Sequence, residues 1–535
     1  MVKMGGNKWF SPIFMEKNSV TAVREIVTLL NKGEIQAAIA ASRSLVNSNQ
    51  DSAEAWLVYS EVLYTARTFG QASQAAGRAF SLSNTTNIKL NLTRCLASSG
   101  EIEEALTYAR QLALEQNLNA TNYSILSKVF TNAGQHQEAL QTAKMAEKFE
   151  PNNSTFLYNL AMANRACGKI GNAINYLNKV ISFNPKDWQA YKNRSDLKTW
   201  TDIDNNLIEL KAILPSEEES PAGYVLISAA ISKELEDIGS YDKAFMYLKE
   251  GAEARRNQIR YNVANDVSIM RSLSHYQDEA FLKDALAIDK DIPTPIFILG
   301  LPRSGSTLLE QIVGASPFVQ AMGELPDLPQ AIMGQVREKY AEHAIEKKRL
   351  PELSTKLDFE KIGLDYMGKI SARGVKGGYF TDKLPMNFLN IGLIKKVLPQ
   401  AKIIHIMREP LDACYAIYKN FFGNSHPYSY DFEELAAYYH AYSDLMKHWS
   451  NAMPKQALLE VSYENLVTEP EMICEQLFEK IGLHWDTKYL LIENSGIATN
   501  SASAAQVSKP IYLSSVGAWR RVKNQIEPLA NLLDT

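Results

Sequence analysis

Small residues and prolines return at a fixed interval through the first half of this chain. That interval restricts the fold more than any composition does. Gly100, Gly134 and Gly168 are 34 residues apart. Ala105, Ala139 and Ala173 each follow a glycine by five residues, and Pro151 and Pro185 keep the same interval. Gly33 with Ala38 shows the five-residue offset, and Ala72 lies 34 beyond Ala38. A glycine at this phase ends one helix, the alanine lets a second helix pack closely on it, and the proline stops the second helix. Each repeat is then one helical hairpin, and hairpins that cannot bury their apolar faces alone stack into a solenoid.

About five repeats run from roughly Ala22 to Asp196. Such a period with small residues at these phases is the signature of tetratricopeptide repeats. Trp56 occupies a phase where that family often has an aromatic, whereas Thr68 stands near the expected glycine of its repeat. A further hairpin, Tyr224 to Arg256, carries Gly239 and Ala244 at the same offset. Its phase is broken, because Ala244 lies 71 residues after Ala173, and an insertion around Thr199–Glu219 accounts for that. The hairpin reads as a cap or adaptor. The concave face of such a solenoid suits a peptide or protein partner. Stabilising the second domain, or self-association as a homodimer, is the equally open alternative.

At 535 residues the chain is too long for one core. A net charge of −4 gives no broad basic field, which argues against nucleic acid as a partner. The N-terminus MVKMGGNKWFSPIFMEKN has no unbroken apolar stretch of the kind a signal peptide needs, and no apolar run is long enough to span a bilayer. Cys95, Cys167, Cys414 and Cys474 lie far apart without paired spacing, so free thiols in a reducing, cytoplasmic setting are expected.

From Pro295 the pattern changes to short β-branched runs. PIFILG, GYFTD, KIIHIMRE and ALLEVSY read as buried parallel strands, with intervening segments long enough for crossover helices. In PIFILGLPRSGSTLLE a strand enters a tight turn holding Arg303, Ser304, Gly305, Ser306 and Thr307, and an apolar helix follows. Strand, small-residue loop and helix N-terminus form an anion site, because backbone N–H groups and the helix dipole point the same way. The Gly-Lys pair of a Walker A loop is missing, which argues against a P-loop kinase. A phosphorylated ligand other than an ordinary nucleoside triphosphate is expected. Ligands of such sheets bind at the carboxyl ends of strands, so Arg408 after KIIHIM and Tyr463 after LLEVS face the same crevice.

These segments resemble a known family. LPRSGSTLLE resembles the 5′-phosphosulfate loop of sulfotransferases that use 3′-phosphoadenosine-5′-phosphosulfate (PAPS), and HIMREPLDACYAIY resembles their 3′-phosphate segment. VSYENLVTEPE and QVSKPIYLSSVGAWRR resemble a third conserved stretch and the C-terminal enclosing loop. Four motifs in order are similar to bacterial proteins that fuse tetratricopeptide repeats to a sulfotransferase, with tyrosylprotein sulfotransferases next. The resemblance implies that Arg303 through Thr307 wrap the 5′-phosphosulfate, that Arg408 holds the 3′-phosphate, and that Tyr463 lies along the adenosine. It matches Ser503 and Lys509 to hydroxyl and basic positions of the enclosing loop. It implies Glu324, in MGELPD, as catalytic base, and Lys383, in TDKLPMN, as a contact to the transferring sulfuryl group, with Arg303 adding charge there. No metal is required, and no ligand cluster appears.

Blander roles compete with these. Glu324 also suits an N-cap or a partner for Arg303, and Lys383 a snorkelling role at the sheet edge. His405 lies inside a buried strand pattern and His426 in a loop, so core packing and solvent exposure are expected for them. The aromatic stretch Tyr428–Tyr442 reads as a helix face packed on the sheet, with an acceptor pocket as the lesser reading. Two positions depart from the family: Ala416 stands eight residues after Arg408 where a serine is usual, and Ala518 precedes Trp519 where a basic residue is usual. Lost hydrogen bonds to a charged group cost about 1.5–3 kcal/mol each. Weakened 3′-phosphate binding is therefore expected unless Lys419, Arg520 or Arg521 compensates.

The expected architecture is α followed by α/β: a tetratricopeptide-repeat helical domain at 1–260, a helical linker at 261–292 and a P-loop-like parallel-sheet sulfotransferase domain at 293–535. The expected activity is PAPS-dependent sulfuryl transfer to an acceptor hydroxyl, a peptide or protein tyrosine first, a saccharide or small alcohol next. A non-catalytic repeat scaffold with a nucleotide-sensing second domain is the alternative.

Overall fold

The computed structural model describes residues 17–283, 292–340, 345–375, 377–492 and 511–534. Ser503 and Lys509 lie outside the described residues. Helices occupy most of the chain between Lys17 and Phe183. Ten follow one another there: Lys17–Lys32, Ile35–Ser48, Ala53–Thr65, Phe69–Leu82, Thr86–Ser99, Ile102–Ala113, Ala120–Asn132, His136–Phe149, Ser154–Ala166 and Ile170–Phe183. The recurring alanines Ala38, Ala72, Ala105, Ala139 and Ala173 all have 0% exposure. A larger side chain at any of them would force a helix pair apart, which explains the small residue.

Gly33, Gly100, Gly134 and Gly168 close their helices with φ between 70° and 96°. The second repeat meets the same left-handed turn with Arg67, at φ 59°. A side chain in that region costs about 1–2 kcal/mol, so the degeneracy noted beside Thr68 is a local strain.

Contacts divide the chain into two compact units, Met1–Lys179 and Val180–Thr535. The hairpin that keeps the repeat offset, Pro221–Asp237 with Tyr241–Asn257, lies in the second unit. There Phe245 stacks on Tyr418 and tilts against Phe432, with ring centres 6.1 and 6.5 Å apart. Arg256 holds Glu434 through two bonds of 2.7 Å, and Lys419 meets Glu236 at 2.7 Å. The stretch read as a linker contains the helix Val263–Tyr276, whose Met270 and Leu273 are members of the same core as Phe245. The hairpin and this helix are thus built into the second unit.

That unit is centred on a five-stranded sheet: β1 Thr294–Leu299, β2 Val319–Gln320, β3 Tyr379–Asp382, β4 Lys402–Met407 and β5 Leu458–Ser462. All pairings are parallel, in the order β2-β3-β1-β4-β5. The four strands read from apolar runs are present, and β2 is an additional two-residue edge strand. Strand alternation sends Phe297, Leu299 and Ile403 to one core and Ile296, Ile298, Ile404 and Ile406 to the other. Each face is therefore covered, as an all-parallel sheet requires. The carboxyl ends of β1, β3, β4 and β5 consequently open along one edge, where ligands of such sheets bind.

Candidate functional site

At the end of β1 the chain turns through Leu301–Gly305 into the helix Ser306–Gly314. Ser304, Ser306 and Thr307 are buried at the end of a helix where its N-terminal N–H groups collect. Gly305 is the N-cap, with φ 99°. A Cβ there would lie 2.3 Å from the Tyr463 ring, so the ring and the loop backbone touch only because residue 305 has no side chain. Arg303 has φ 67°, a strained conformation for a residue with a side chain. Strain of this kind persists where surrounding contacts over-determine it. Here the Arg303 carbonyl accepts from Arg408 Nη1 at 3.0 Å.

Arg408, just beyond β4, also donates from Nη2 to the Ser515 carbonyl at 2.5 Å. It lies over the Tyr463 ring at 4.9 Å, and its buried Nε has no partner among the described residues. Tyr463 shares a 2.6 Å hydrogen bond with Ser515 Oγ. Burial first, and then the nearby Arg408, push the Arg303 guanidinium below its ordinary pKa, while Tyr512 and Tyr463 oppose them. Two guanidinium groups brought together at helix-terminal amides repel each other, and an anion between them relieves the repulsion.

A short relay fixes this side of the crevice. Gly517 N–H donates to Asp412 Oδ2 at 2.5 Å, Asp412 N–H to Glu409 Oε2 at 2.7 Å, and Glu409 N–H to Glu464 Oε1 at 2.9 Å. The ends of β4 and β5 and the C-terminal segment are thereby linked. Asp412, Ser515 and Tyr512 were not singled out from sequence. Asp412 was legible, lying four residues after Arg408 in HIMREPLDACYAIY, the segment that resembles the 3′-phosphate segment.

Beyond β3, Lys383 Nζ meets Glu324 Oε1 at 2.7 Å. The lysine side chain is 1% exposed and the glutamate 46%. Glu324 is thus reachable from solvent while its cation is enclosed, and it partners Lys383. Gly300 N–H donates to the Pro385 carbonyl at 3.2 Å, tying the β1 loop to the turn after β3. The structure brings Arg303–Thr307, Arg408, Tyr463, Lys383 and Glu324 to the carboxyl edge of the sheet.

The competing candidates fall elsewhere. His405 is buried, with Nε2 2.5 Å from the Tyr442 hydroxyl, so the core reading describes it. Tyr428 and Tyr438 are each 2% exposed and stack with centres 3.6 Å apart, so this part of the aromatic stretch is core. His426 differs from the solvent-exposed expectation. It is half-buried, its Nδ1 lies 3.2 Å from the Tyr428 hydroxyl, and its ring packs on Phe422. Burial lowers its pKa from 6.5 to about 4, with Glu324 opposing.

Between those two values the unfolded chain binds the extra proton, so His426 makes stability rise with pH across that window, and stability is lost on acidification. His426→Gln is expected to flatten the dependence of the urea midpoint on pH between 4 and 6.5. An unchanged slope would contradict this assignment.

Of the three residues offered as compensation for Ala416 and Ala518, two have other partners. Lys419 is paired with Glu236, and Arg521 donates to the Ser514 carbonyl at 3.0 Å and lies over Tyr241. Arg520 stacks on Trp519 and folds back over Gly517, the glycine whose N–H Asp412 holds.

Residues 295–487 match the family model described as the sulfotransferase family, and residues 154–187 match that of the tetratricopeptide repeat. An uncharacterised protein of Aquifex aeolicus strain VF5 is 28% identical over 423 residues, covering 77% of this chain and 54% of the relative. Protein-tyrosine sulfotransferase 1 of Danio rerio is 25% identical, covering 43% of this chain and 66% of its own. Protein-tyrosine sulfotransferase A of Caenorhabditis elegans is 23% identical, covering 42% and 60% respectively. This chain thus spans between 54% and 66% of the length of these relatives. Among solved structures, the sulfotransferase domain from the Synechococcus PCC 7002 olefin synthase is 21% identical, with a TM-score of 0.33, covering 46% of this chain and 98% of that one. The chain thus carries a sulfotransferase-family domain at 295–487 and a tetratricopeptide repeat at 154–187.

Proposed function

We propose that the second domain transfers a sulfuryl group from PAPS to an acceptor hydroxyl, with a peptide or protein tyrosine as the first acceptor to test. The observation that carries the reading is the pairing, on one sheet edge, of an anion cradle with an enclosed lysine and a solvent-facing carboxylate. The cradle suits the donor: the loop amides with Arg303 fit the phosphosulfate, and Arg408, whose Nε has no partner among the described residues, fits the 3′-phosphate. Tyr463 would lie along the adenosine, and the sequence resemblance suggests Ser503 and Lys509 as hydroxyl and basic contacts of the enclosing loop.

The bond between sulfur and the donor's phosphate oxygen breaks as the acceptor oxygen bonds to sulfur. The acceptor proton passes to Glu324, and the 3′,5′-bisphosphate leaves. Lys383 and Arg303 offset charge growing on the leaving phosphate, so that in-line positioning and electrostatics supply the catalysis. Tyrosine is favoured as acceptor because two similar proteins are named protein-tyrosine sulfotransferases. The repeats support a peptide or protein partner on their concave face.

Incubation with radiolabelled PAPS and separate pools of tyrosine peptides, saccharides and small alcohols tests the reading. Label is expected on the tyrosine peptides. Label on saccharides alone would replace the acceptor. Nucleotide binding without transfer to any pool would favour the nucleotide-sensing scaffold, the alternative toward which the departures at Ala416 and Ala518 point.

A further inference from the structure

Glu310 is a carboxylate inside the apolar stretch STLLEQIVG, and it is 2% exposed. An acid in that setting is costly unless its oxygens are well used. Its Oε1 accepts from the Gly323 N–H and from Thr381 Oγ1, both at 2.8 Å. Thr381 Oγ1 in turn accepts from the Met322 N–H at 3.1 Å, and the Gly323 carbonyl accepts from the Lys383 N–H at 2.9 Å. The turn Met322–Glu324 is therefore held at two successive amides and at one carbonyl. Every one of these bonds runs to Glu310, to β3 or to Lys383 just beyond it.

The lysine also acts on the charge of Glu310. Burial raises its carboxyl pKa, Lys383 and its two hydrogen bonds lower it, and Glu324 raises it. Lys383 thus lies within electrostatic reach of two carboxylates, one enclosed and one open to solvent. Because Glu310 sits on the helix that begins at the anion loop, that helix sets a fixed distance between the cradle and the Glu324 turn.

We propose that Glu310 is a positioning residue that holds Glu324 and Lys383 in register with the anion loop through Gly323 and Thr381. The proposal rests on the sulfuryl-transfer reading and deepens it. An ångström of misplacement costs on the order of 100-fold in rate, whereas donor binding depends on the loop and Arg408. Glu310→Ala is therefore expected to lower kcat about 100-fold with donor KM changed less than about three-fold. Glu310→Gln keeps an acceptor oxygen for both donors and should recover to within about ten-fold of the native enzyme.

The deciding measurement repeats Glu310→Ala in a Glu324→Gln background. If Glu310 acts through Glu324, the further loss there is clearly smaller than in the native background, the remainder coming through Lys383. An unchanged kcat in Glu310→Ala, or the same loss in both backgrounds, overturns the proposal. Crystal structures of both Glu310 variants supply a readout independent of turnover. The 322–324 turn displaced and the Glu324–Lys383 contact broken in Glu310→Ala, but kept in Glu310→Gln, supports it. An unmoved turn overturns it. If the native protein transfers nothing, the sulfuryl-transfer reading fails by itself, and these two structures still decide the role of Glu310.

Discussion

Glu324→Gln should remove ~10²–10⁴ of the transfer rate, the range typical of a lost general base, while leaving calorimetric affinity for 3′,5′-bisphosphate within a few-fold. The separation follows from the geometry. Glu324 reaches solvent beyond Lys383, whereas the cradle is assembled from Arg303, Arg408, Tyr463 and the loop amides. A mutant with native turnover would remove Glu324 from the chemistry. A mutant that lost both turnover and bisphosphate binding would instead make it part of the donor site.

A fragment covering 261–535 should fail to fold, whereas one covering 180–535 should unfold cooperatively. The shorter piece lacks Phe245 and Ala252, two members of the core that includes Tyr418 and Trp449. It also leaves Glu434 without Arg256, and that pair is only 16% and 25% exposed. Losing a buried phenylalanine alone costs about 3–5 kcal/mol, and a domain has only about 5–15 kcal/mol to lose. Circular dichroism with denaturant titration of both fragments checks this. A cooperative transition for 261–535 near that of the longer piece would mean that the hairpin is dispensable.

This second expectation marks where the sequence misleads. Gly239 and Ala244 have the same spacing as the glycine–alanine pairs of the true repeats, so local pattern alone assigns their hairpin to the array. Its partners, Tyr418, Phe432 and Glu434, lie far along the chain, and no periodicity announces such contacts. The strands were legible because a strand buried on both faces must be apolar throughout. Two residues at an edge, Val319 and Gln320, leave no such trace. Arg303–Thr307 and Arg408 stood out because a small-residue loop between strand and helix, and an arginine at a strand end, have a compositional signature. Glu310 could not, since a single glutamate in an apolar helix becomes informative only when the groups across from it are known. His426 was misjudged for a related reason: a loop position says nothing about the rings folded over it.

The contact between Gly305 and the Tyr463 ring has an evolutionary corollary. No side chain fits at 305 while an aromatic occupies 463, and that ring is itself tied to Ser515. Substitutions at these sites should be strongly epistatic, so that descendants keep both together or exchange both together. A lineage that shrinks residue 463 first would pass through an intermediate whose groove beside the 303–307 loop is loosened before any new specificity can be selected.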